Sequence, residues 1–300
     1  MRVLISGANG LLGRHLIHSH GPESDVLGIV RSKGSVGTQI DCNTRVLDLT
    51  QFSGVKQVLD AFAPEVIIHT AAEGRVDAVQ NRMGEFRKLN VELPSLLSKY
   101  AIDSGAQFVH LSSNAVFGGR TKSYSDYSKF DPINDYGALK AEAEKSISQM
   151  NHNALIVRPI LMYGWPGPSG RQNPVTSWIT NLREGKTIRI VDDVWTEPLA
   201  AWDCAAAIWC AIDERISGPL NVSGGVKISL FDFAQTVASV FDLDSALIEP
   251  ASSGDFPTLA PRPSITSFDL QRLKEELDFH PASPQLGLAQ LRRDESAIAH

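Results

Sequence analysis

Short apolar runs alternate with amphipathic stretches through the first half of the chain. The apolar runs read as buried strands because they are short and lack polar alternation, and they lie at 3–5, 26–30, 45–47, 66–69, 108–111 and 154–157. Apolar positions at helical spacing lie between them, at 14–17, 55–62, 85–104 and 136–150. Pro64 is expected to end the second of these helices, and Pro94 to kink the third. Strand–helix alternation of this kind predicts a parallel sheet covered by helices.

The pattern changes after residue 160. A loop at 164–170 is rich in glycine and proline and is expected to open a second, smaller lobe. Beyond it the periodicity predicts a strand at 187–191 and helices at 175–183, 200–212, 229–241, 270–277 and 285–291. The Ala-rich helix at 200–212 and a further strand at 220–222 are expected to return to the large sheet.

Three glycines follow the first strand at intervals of three residues and lead directly into a helix. Glycine lets the backbone turn sharply and approach a ligand, and a helix N-terminus offers unpaired N–H groups with a partial positive charge. A dinucleotide pyrophosphate is the ligand that suits such a turn best. The residues expected to contact it are Gly7, Asn9, Gly10, Leu11, Leu12 and Gly13. A glycine-rich turn without a ligand is the alternative, because the spacing fits the Gly-x-Gly-x-x-Gly pattern only in part.

These observations together predict an α/β fold, a Rossmann-like doubly wound parallel sheet with a smaller C-terminal α/β lobe. The cofactor-binding domain is expected over residues 1–160, rejoined by the chain at about 200–222. The substrate-binding lobe is expected over residues 161–300.

The end of the second predicted strand indicates which dinucleotide is bound. An acidic residue there would accept a hydrogen bond from a ribose 2′-hydroxyl, whereas a basic one accommodates a 2′-phosphate. The chain has Arg31, Ser32 and Lys33 at this point and no acid. We therefore predict NADP(H) in preference to NAD(H), the alternative being that these are solvated loop charges.

Further strand ends supply other candidate contacts. Asp48 could accept a hydrogen bond from the adenine amine, or could cap the helix expected to begin near Ser53. Ala71 and Ala72 are small enough to let a flat cofactor pass close to the backbone. His69, at the end of the fourth strand, is interpreted as a hydrogen-bonding residue rather than a catalyst.

Composition narrows the range of partners. The net charge is −6, which argues against nucleic-acid binding. The apolar run at 205–212 is too short to span a bilayer, so no membrane association is expected. The chain opens in a strand with no visible secretory leader, and Cys42, Cys204 and Cys210 show no metal-like spacing. We expect a cytoplasmic protein without a metal site.

The candidate chemistry lies in Ser113, Tyr136 and Lys140. Tyr136 and Lys140 are four residues apart and share one face of the predicted helix. A neighbouring ammonium favours the phenolate, so we expect Lys140 to lower the pKa of Tyr136 from its usual value of about 10. Tyr136 could then exchange a proton with a carbonyl oxygen, which the Ser113 hydroxyl would hold, while hydride reaches the carbon. An exposed tyrosine beside a solvated lysine is the alternative.

The chain resembles an extended short-chain dehydrogenase/reductase, most closely the dTDP-4-dehydrorhamnose reductase branch. The matching segments cover nearly the whole chain: Gly7-x-x-Gly10-x-x-Gly13, 48–50, 64–72, 76–77, Asn90, 112–117 with Gly119, Tyr136-Gly137-x-x-Lys140, 158–159 and 262–263. The resemblance implies Ser113 as the triad hydroxyl, Tyr136 as proton donor, and Lys140 as its activator and a nicotinamide-ribose ligand. It also implies cofactor contacts at Leu49 and Asn90 and a homodimer paired through the 85–104 and 136–150 helices.

The substrate is expected between the two lobes. Val76 and Asn114 are candidate contacts through the resemblance, and Trp165, Arg171, Trp195 and Arg262 could stack on a base or sugar or pair with a diphosphate. The chain departs from the branch at Asn114-Ala115, where Asp-Tyr is usual, and at 194–198, where Gly-x-Pro-Thr is common. For the tryptophans, core packing is the alternative.

These features predict an NADPH-dependent reductase of a keto group on a nucleotide-linked deoxysugar. One alternative is an epimerase or dehydratase that retains its cofactor and returns the hydride to the substrate. The other is a non-catalytic NADP-binding regulatory subunit, because the regulatory subunit of methionine adenosyltransferase is similar to the same branch.

Overall fold

The computed structural model describes residues 1–32, 42–167, 170–256 and 260–298. The strands, in chain order, are β1 (Arg2–Ser6), β2 (Asp25–Val30), β3 (Asn43–Val46), β4 (Val66–His69), β5 (Gln107–Leu111), β6 (Leu155–Pro159), β7 (Met162–Tyr163), β8 (Ile188–Val191), β9 (Trp195–Thr196), β10 (Leu199–Ala200), β11 (Gly218–Val222), β12 (Ile228–Ser229) and β13 (Ile248–Ala251).

The helices lie between and after these strands. They are α1 (Leu11–His18), α2 (Phe52–Phe62), α3 (Val76–Val79), α4 (Met83–Arg87), α5 (Leu93–Ser104), α6 (Asp135–Met150), α7 (Pro174–Arg183), α8 (Ala201–Asp213), α9 (Leu230–Val240), α10 (Gln271–Leu277) and α11 (Pro284–Ile298). Within the part of the chain that the structure describes, none of them has the length and apolar character that a membrane crossing requires.

A seven-stranded parallel sheet forms the centre of the fold, in the order β11-β6-β5-β4-β1-β2-β3. The predicted Rossmann-like sheet is confirmed. The strand order reverses at β1 and β4, and in such sheets the ligand crevice opens beyond the carboxyl ends of those two strands. The glycine turn after β1 therefore lies at the expected place for a cofactor.

Residues alternate across the sheet into two separate cores. Ile5 and Ile68 pack on one face, against α1 and α8, whereas Leu4 and Ile67 pack on the other, against α2 and α5. All four side chains are buried, as expected for strands covered on both sides. The predicted return of the chain to this sheet is also observed, since β11 pairs in parallel with β6.

The long helix predicted at 85–104 is interrupted by a π-helical turn and not by the expected proline kink. A π-helical turn, Lys88–Glu92, joins α4 to α5, and Pro94 lies in the first turn of α5. Proline lacks the backbone N–H that would donate within a helix, and Pro94 is the second residue of α5, directly after the π-helical turn. Such turns are frequent at functional sites, and this one carries the buried Asn90.

A second core holds the smaller lobe together. The parallel pair of β8 and β13 packs with α7, α9 and α11 around Tyr163, Trp178 and Phe233. The strand predicted at 187–191 is β8, but its partner β13 was not predicted from the sequence. Its segment, Ile-Glu-Pro-Ala, is short and carries a proline, which is a weak strand signal.

Candidate active site

The glycine turn after β1 brings backbone very close to backbone. Gly7 has a φ of +73°, in the left-handed region, and its N–H donates to the carbonyl of Ile29 at 3.1 Å. A Cβ atom on Gly7 would lie 2.7 Å from Thr70 Oγ1, and one on Gly13 would overlap the Gly7 carbonyl oxygen. Gly10 is the N-cap of α1 and offers no side-chain cap. The first N–H groups of α1 therefore point into the crevice without a capping side chain, as an anion site requires.

Replacing Gly13 by Ala is expected to damage this turn. The added methyl group would overlap a backbone oxygen that has no flexible side chain to move aside. A clash of this kind typically costs about 1–3 kcal/mol, and displacement of the α1 N-terminus should weaken NADPH binding roughly tenfold or more. Fluorescence titration of NADPH and thermal unfolding without cofactor measure the two effects. Gly21→Ala is the control, since a Cβ there meets nothing within 4 Å. Equal NADPH affinity in both variants would contradict the assignment.

The side chains at the ends of β2 and β3 are exposed or locally bonded. Hydrogen bonds from Thr50 are the main reason that the pKa of the Asp48 carboxyl is lowered. Arg31 is exposed, and its charge adds to that lowering. The backbone N–H and hydroxyl of Thr50 both donate to Asp48 Oδ1, at 2.9 and 2.8 Å. Asp48 does not cap the next helix, because α2 begins after Gln51 without a side-chain cap. Ser32 is exposed and Leu49 is partly buried against the sheet core, while Lys33 lies outside the described residues.

Beyond β4, the crevice wall is made of small side chains. Ala71 and Ala72 follow the strand and are half-buried. His69 is buried, and its Nδ1 lies 2.6 Å from Ser6 Oγ on β1. Burial, followed by the Lys140 charge, lowers the pKa of His69 to about 3. A neutral ring that joins two strand ends confirms the interpretation of His69 as a hydrogen-bonding residue.

The structure brings Ser113, Tyr136 and Lys140 together at the carboxyl edge of the sheet. Ser113 follows β5, and its hydroxyl is near enough to Tyr136 to lower the pKa of the phenol. Tyr136 lies in the first turn of α6, whose N-cap is Asn134. Lys140 lies one turn further on, is only 2% exposed, and donates to the carbonyl of Leu111 at 2.8 Å.

The electrostatics of Tyr136 differ from the sequence-based expectation. Burial raises its pKa to about 12, the nearby Ser113 hydroxyl opposes that rise, and the negative charge of Glu73 adds to it. The expected lowering by Lys140 is therefore wrong for this structure: burial of the phenol outweighs it. Burial also lowers the pKa of Lys140 to about 8, against the carboxylate of Glu144. Tyr136 thus holds its proton throughout the neutral range.

Glu73 is a site residue that the sequence analysis missed. Asn90 clamps its backbone from both sides, accepting from the Glu73 N–H at 2.9 Å and donating to its carbonyl at 3.1 Å. Arg75 holds the carboxylate in a fork, at 2.9 and 2.8 Å. Asn90 was predicted to contact the cofactor. In this structure its side chain holds the backbone of Glu73 in position. The exposed Arg171 is near enough for its charge to help lower the pKa of Glu73.

Two of the candidate substrate residues are already engaged with partners. Arg262 forks onto Asp77, beside Val76 at the start of α3, at 3.0 and 2.7 Å. The indole N–H of Trp165 donates to the carbonyl of Leu291 at 2.7 Å, so this ring belongs to the packing of the smaller lobe. The alternative of core packing therefore describes Trp165.

Asn114 and Trp195 are two further candidate substrate residues. Asn114 accepts from the Ser113 hydroxyl at 3.3 Å and donates to Thr266 Oγ1 at 3.2 Å. Trp195 is 38% exposed, and the ammonium of Lys227 lies 5.8 Å from its ring centroid. Trp195 is therefore a partly exposed ring with a cation over it, in the range of a cation–π contact.

A buried ion pair joins α6 to β6. Glu144, one turn beyond Lys140, pairs with Arg158 of β6 at 2.6 Å and accepts a hydrogen bond from Ser112. The Arg158 guanidinium lies over the neighbouring rings of Phe117 and Phe130, 5.3 Å from each centroid. This pair links α6 to the strand ends that carry Ser112 and its neighbour Ser113.

A glycine turn at the switch point of a parallel sheet, with a serine and a tyrosine side chain close together and a buried lysine at its edge, defines an extended short-chain dehydrogenase/reductase. The chain belongs to the family described as RmlD substrate binding domain, which matches residues 1–296.

The chain is similar along most of its length to two known proteins and to one solved structure. The probable low-salt glycan biosynthesis reductase Agl14 of Haloferax volcanii is 27% identical, over 92% of this chain and 92% of its own. Methionine adenosyltransferase 2 subunit beta of Xenopus laevis is 30% identical, over 91% of this chain and 82% of its own. The crystal structure of dTDP-4-dehydrorhamnose reductase from Bacillus anthracis in complex with NADP has a TM-score of 0.84 at 28% identity, covering 98% of this chain and 99% of that one.

Proposed function

We propose that this protein is an NADPH-dependent reductase of a keto group on a nucleotide-linked deoxysugar. The observation that carries the proposal is that the Ser113 and Tyr136 side chains lie close together, with Lys140 buried one turn away, at the sheet edge that also carries the glycine turn. The likeness to dTDP-4-dehydrorhamnose reductases, one of them in complex with NADP, supports both the reaction and the cofactor.

The residues present fit a dinucleotide. The close approach at Gly7 and Gly13 and the uncapped start of α1 form a backbone cradle for a pyrophosphate. We assign the cradle to Gly7, Asn9, Gly10, Leu11, Leu12 and Gly13; the adenosine end to Arg31, Ser32, Lys33, Asp48 and Leu49; and the nicotinamide end to Ala71, Ala72, Asn90, Tyr136 and Lys140. Residues 1–160, with the returning strand β11, would hold the cofactor, and residues 161–300 the substrate.

Ser113, Tyr136 and Lys140 each have a separate role in transferring one proton to the substrate. When bound, NADPH supplies the hydride that reduces the carbonyl carbon. The Ser113 hydroxyl donates a hydrogen bond to the carbonyl oxygen and fixes its position. The Tyr136 hydroxyl, protonated at neutral pH, gives its proton to that oxygen as the alcohol forms. The Lys140 ammonium stabilises the phenolate left behind until water reprotonates it.

Activity should fall as the pH rises through about 8. Burial lowers the pKa of Lys140 to about 8, so its ammonium is present below that pH and is lost above it, while Tyr136 stays protonated to about pH 12. The expected kcat/KM falls about tenfold per pH unit above 8, as measured by NADPH oxidation. Lys140→Arg, whose side chain stays charged, should lack this limb. A flat wild-type profile from pH 7 to 10 would contradict the role of Lys140.

The experiment that tests the function is a coupled assay at 340 nm with nucleotide-linked 4-keto sugars. The proposal expects NADPH to be consumed one for one with sugar, and NADH to bind and react less well. Conversion of sugar without net NADPH loss would identify an epimerase or dehydratase. Cofactor binding with no conversion would favour a regulatory subunit, the candidate that the likeness to methionine adenosyltransferase 2 subunit beta supports.

We also propose the setting of the enzyme. The likeness to dTDP-4-dehydrorhamnose reductases supports a cytoplasmic protein, and the net charge of −6 argues against nucleic-acid binding. The resemblance further supports a homodimer paired through α5 and α6. Size-exclusion chromatography with light scattering would measure the oligomeric state directly.

A further inference from the structure

One segment of the C-terminal half contacts both the segment that carries Ser113 and the start of the helix that carries Tyr136. We call residues 260–268 the strap. It begins at α3, where the Ala260 N–H and the Arg262 guanidinium both bond to Asp77. It ends beside the large sheet, where Phe268 forms a parallel bridge with Tyr124.

The strap holds the start of the catalytic helix through Asn134. Asn134 Oδ1 accepts from the Gly137 N–H at 2.8 Å and so caps α6. Its Nδ2 donates to the Pro261 carbonyl at 3.0 Å. Asn134 is buried and precedes Tyr136 by two residues. The position of the first turn of α6, which carries Tyr136, is therefore tied to the strap.

The strap also holds the Ser113 loop, through Asn114. The amide of Asn114 donates to Thr266 Oγ1 at 3.2 Å, while its oxygen accepts from the Ser113 hydroxyl at 3.3 Å. The packing is close here as well: a Cβ on Gly119 would lie 2.6 Å from both the Ile265 carbonyl oxygen and Pro263. The two hydroxyl-bearing catalytic elements thus contact the same short segment.

The other side of the strap is bonded to the β9 region, which carries the exposed Trp195. The Trp195 N–H donates to the Ser264 carbonyl at 2.8 Å, and its carbonyl accepts from Thr266 at 3.3 Å. The buried carboxylate of Glu197 accepts from the Ser267 hydroxyl and, at 3.1 Å, from the Phe268 N–H. A ligand that moves this region would therefore move the strap with it.

We propose that Asn114 and Asn134 are positioning residues that couple occupation of the substrate lobe, through the strap, to the spacing of the Ser113 and Tyr136 hydroxyls. The inference rests on the proposed function. A displacement of about 1 Å can cost roughly 100-fold in rate, and binding energy from the remote part of a substrate is what orients the reacting groups. The strap supplies the physical connection that such a use of binding energy requires.

Asn134→Asp tests the connection without removing the helix cap. An Asp carboxylate caps helices as well as Asn and suits the helix N-terminus, but it cannot donate to the Pro261 carbonyl. The expected result is a kcat roughly 10- to 100-fold lower, with NADPH affinity and the KM for the nucleotide sugar changed less than about threefold. Thr266→Val, which removes the acceptor for Asn114, should lower kcat in the same way.

Asn173→Asp is the matched control. Asn173 caps α7, and its amide also donates to a distant carbonyl, that of Gly164. Its kcat should stay near that of the wild type. Wild-type kcat in both strap variants would overturn the proposal, and so would an equal loss of kcat in the control.

A readout that does not need turnover separates this proposal from the proposed function. Amide hydrogen exchange at residues 114–116 and 135–140 should slow when thymidine diphosphate binds the wild-type protein, and should not slow in Asn134→Asp. Equal slowing in both proteins would overturn the coupling. If the wild type reduces no keto sugar, the proposed function fails and this comparison alone decides the coupling.

Discussion

Replacing Tyr136 by Phe is expected to lower kcat roughly 100- to 10,000-fold, the usual contribution of a positioned general acid. The change removes only the phenolic oxygen, so the buried ring keeps its packing and α6 keeps its Asn134 cap. NADPH affinity should therefore change by less than about twofold. NADPH oxidation with a keto nucleotide sugar measures the first effect and fluorescence titration the second.

Tyr100→Phe is the control for this experiment. Its hydroxyl also makes one protein hydrogen bond, to the Leu59 carbonyl at 2.9 Å, and α5 places it away from Ser113. It should retain wild-type kcat. Turnover by Tyr136→Phe within a factor of two of the wild type would remove Tyr136 from the mechanism.

Arg158→Met is expected to produce the largest loss of stability. Removing one partner of a buried ion pair leaves the other charge uncompensated, which typically costs about 3–5 kcal/mol. Here Glu144 would keep hydrogen bonds from Ser112 but lose all its contacts with the guanidinium. Phe117 and Phe130 would also lose the cation that lies over both rings. Urea unfolding measures the change in the free energy of unfolding.

Arg183→Met supplies the comparison on the surface. Arg183 pairs with Glu295 at 2.7 Å, but its side chain is 46% exposed, and exposed pairs contribute about 0–1 kcal/mol. The double variant Glu144→Leu/Arg158→Met should recover part of the loss, because no buried charge then remains unpaired. Similar stabilities for Arg158→Met and Arg183→Met would contradict this account of the pair.

The strands could be predicted because their signals are local. The run 66–69 becomes β4 with the same bounds, since Pro64 precedes it and small residues follow it. The short pairs β9–β12 and β8–β13 could not be predicted, because they depend on contacts between segments far apart in the chain. The π-helical turn before Pro94 likewise depends on how the helix packs, as its buried Asn90 shows.

Some features of the candidate site could be predicted from the sequence and others could not. Ser113, Tyr136 and Lys140 could be predicted to meet, because two share a helix face and the third ends a neighbouring strand. The rise in the Tyr136 pKa could not, since it depends on burial and on Glu73, which the sequence places 63 residues away. The two hydrogen bonds from Arg262 to Asp77 join residues that are 185 positions apart in the chain. The sequence pattern around neither residue indicates this contact.

The most direct test of the central claim follows the hydride itself. The protein would be incubated with NADPH that carries deuterium at both C4 positions of the nicotinamide and with a nucleotide-linked 4-keto sugar, and the sugar product analysed by mass spectrometry. The account predicts an alcohol that carries one deuterium at the reduced carbon, with one NADP⁺ formed per product and almost none formed by Tyr136→Phe. A product without deuterium, or NADPH binding with no product from any such sugar, would contradict it.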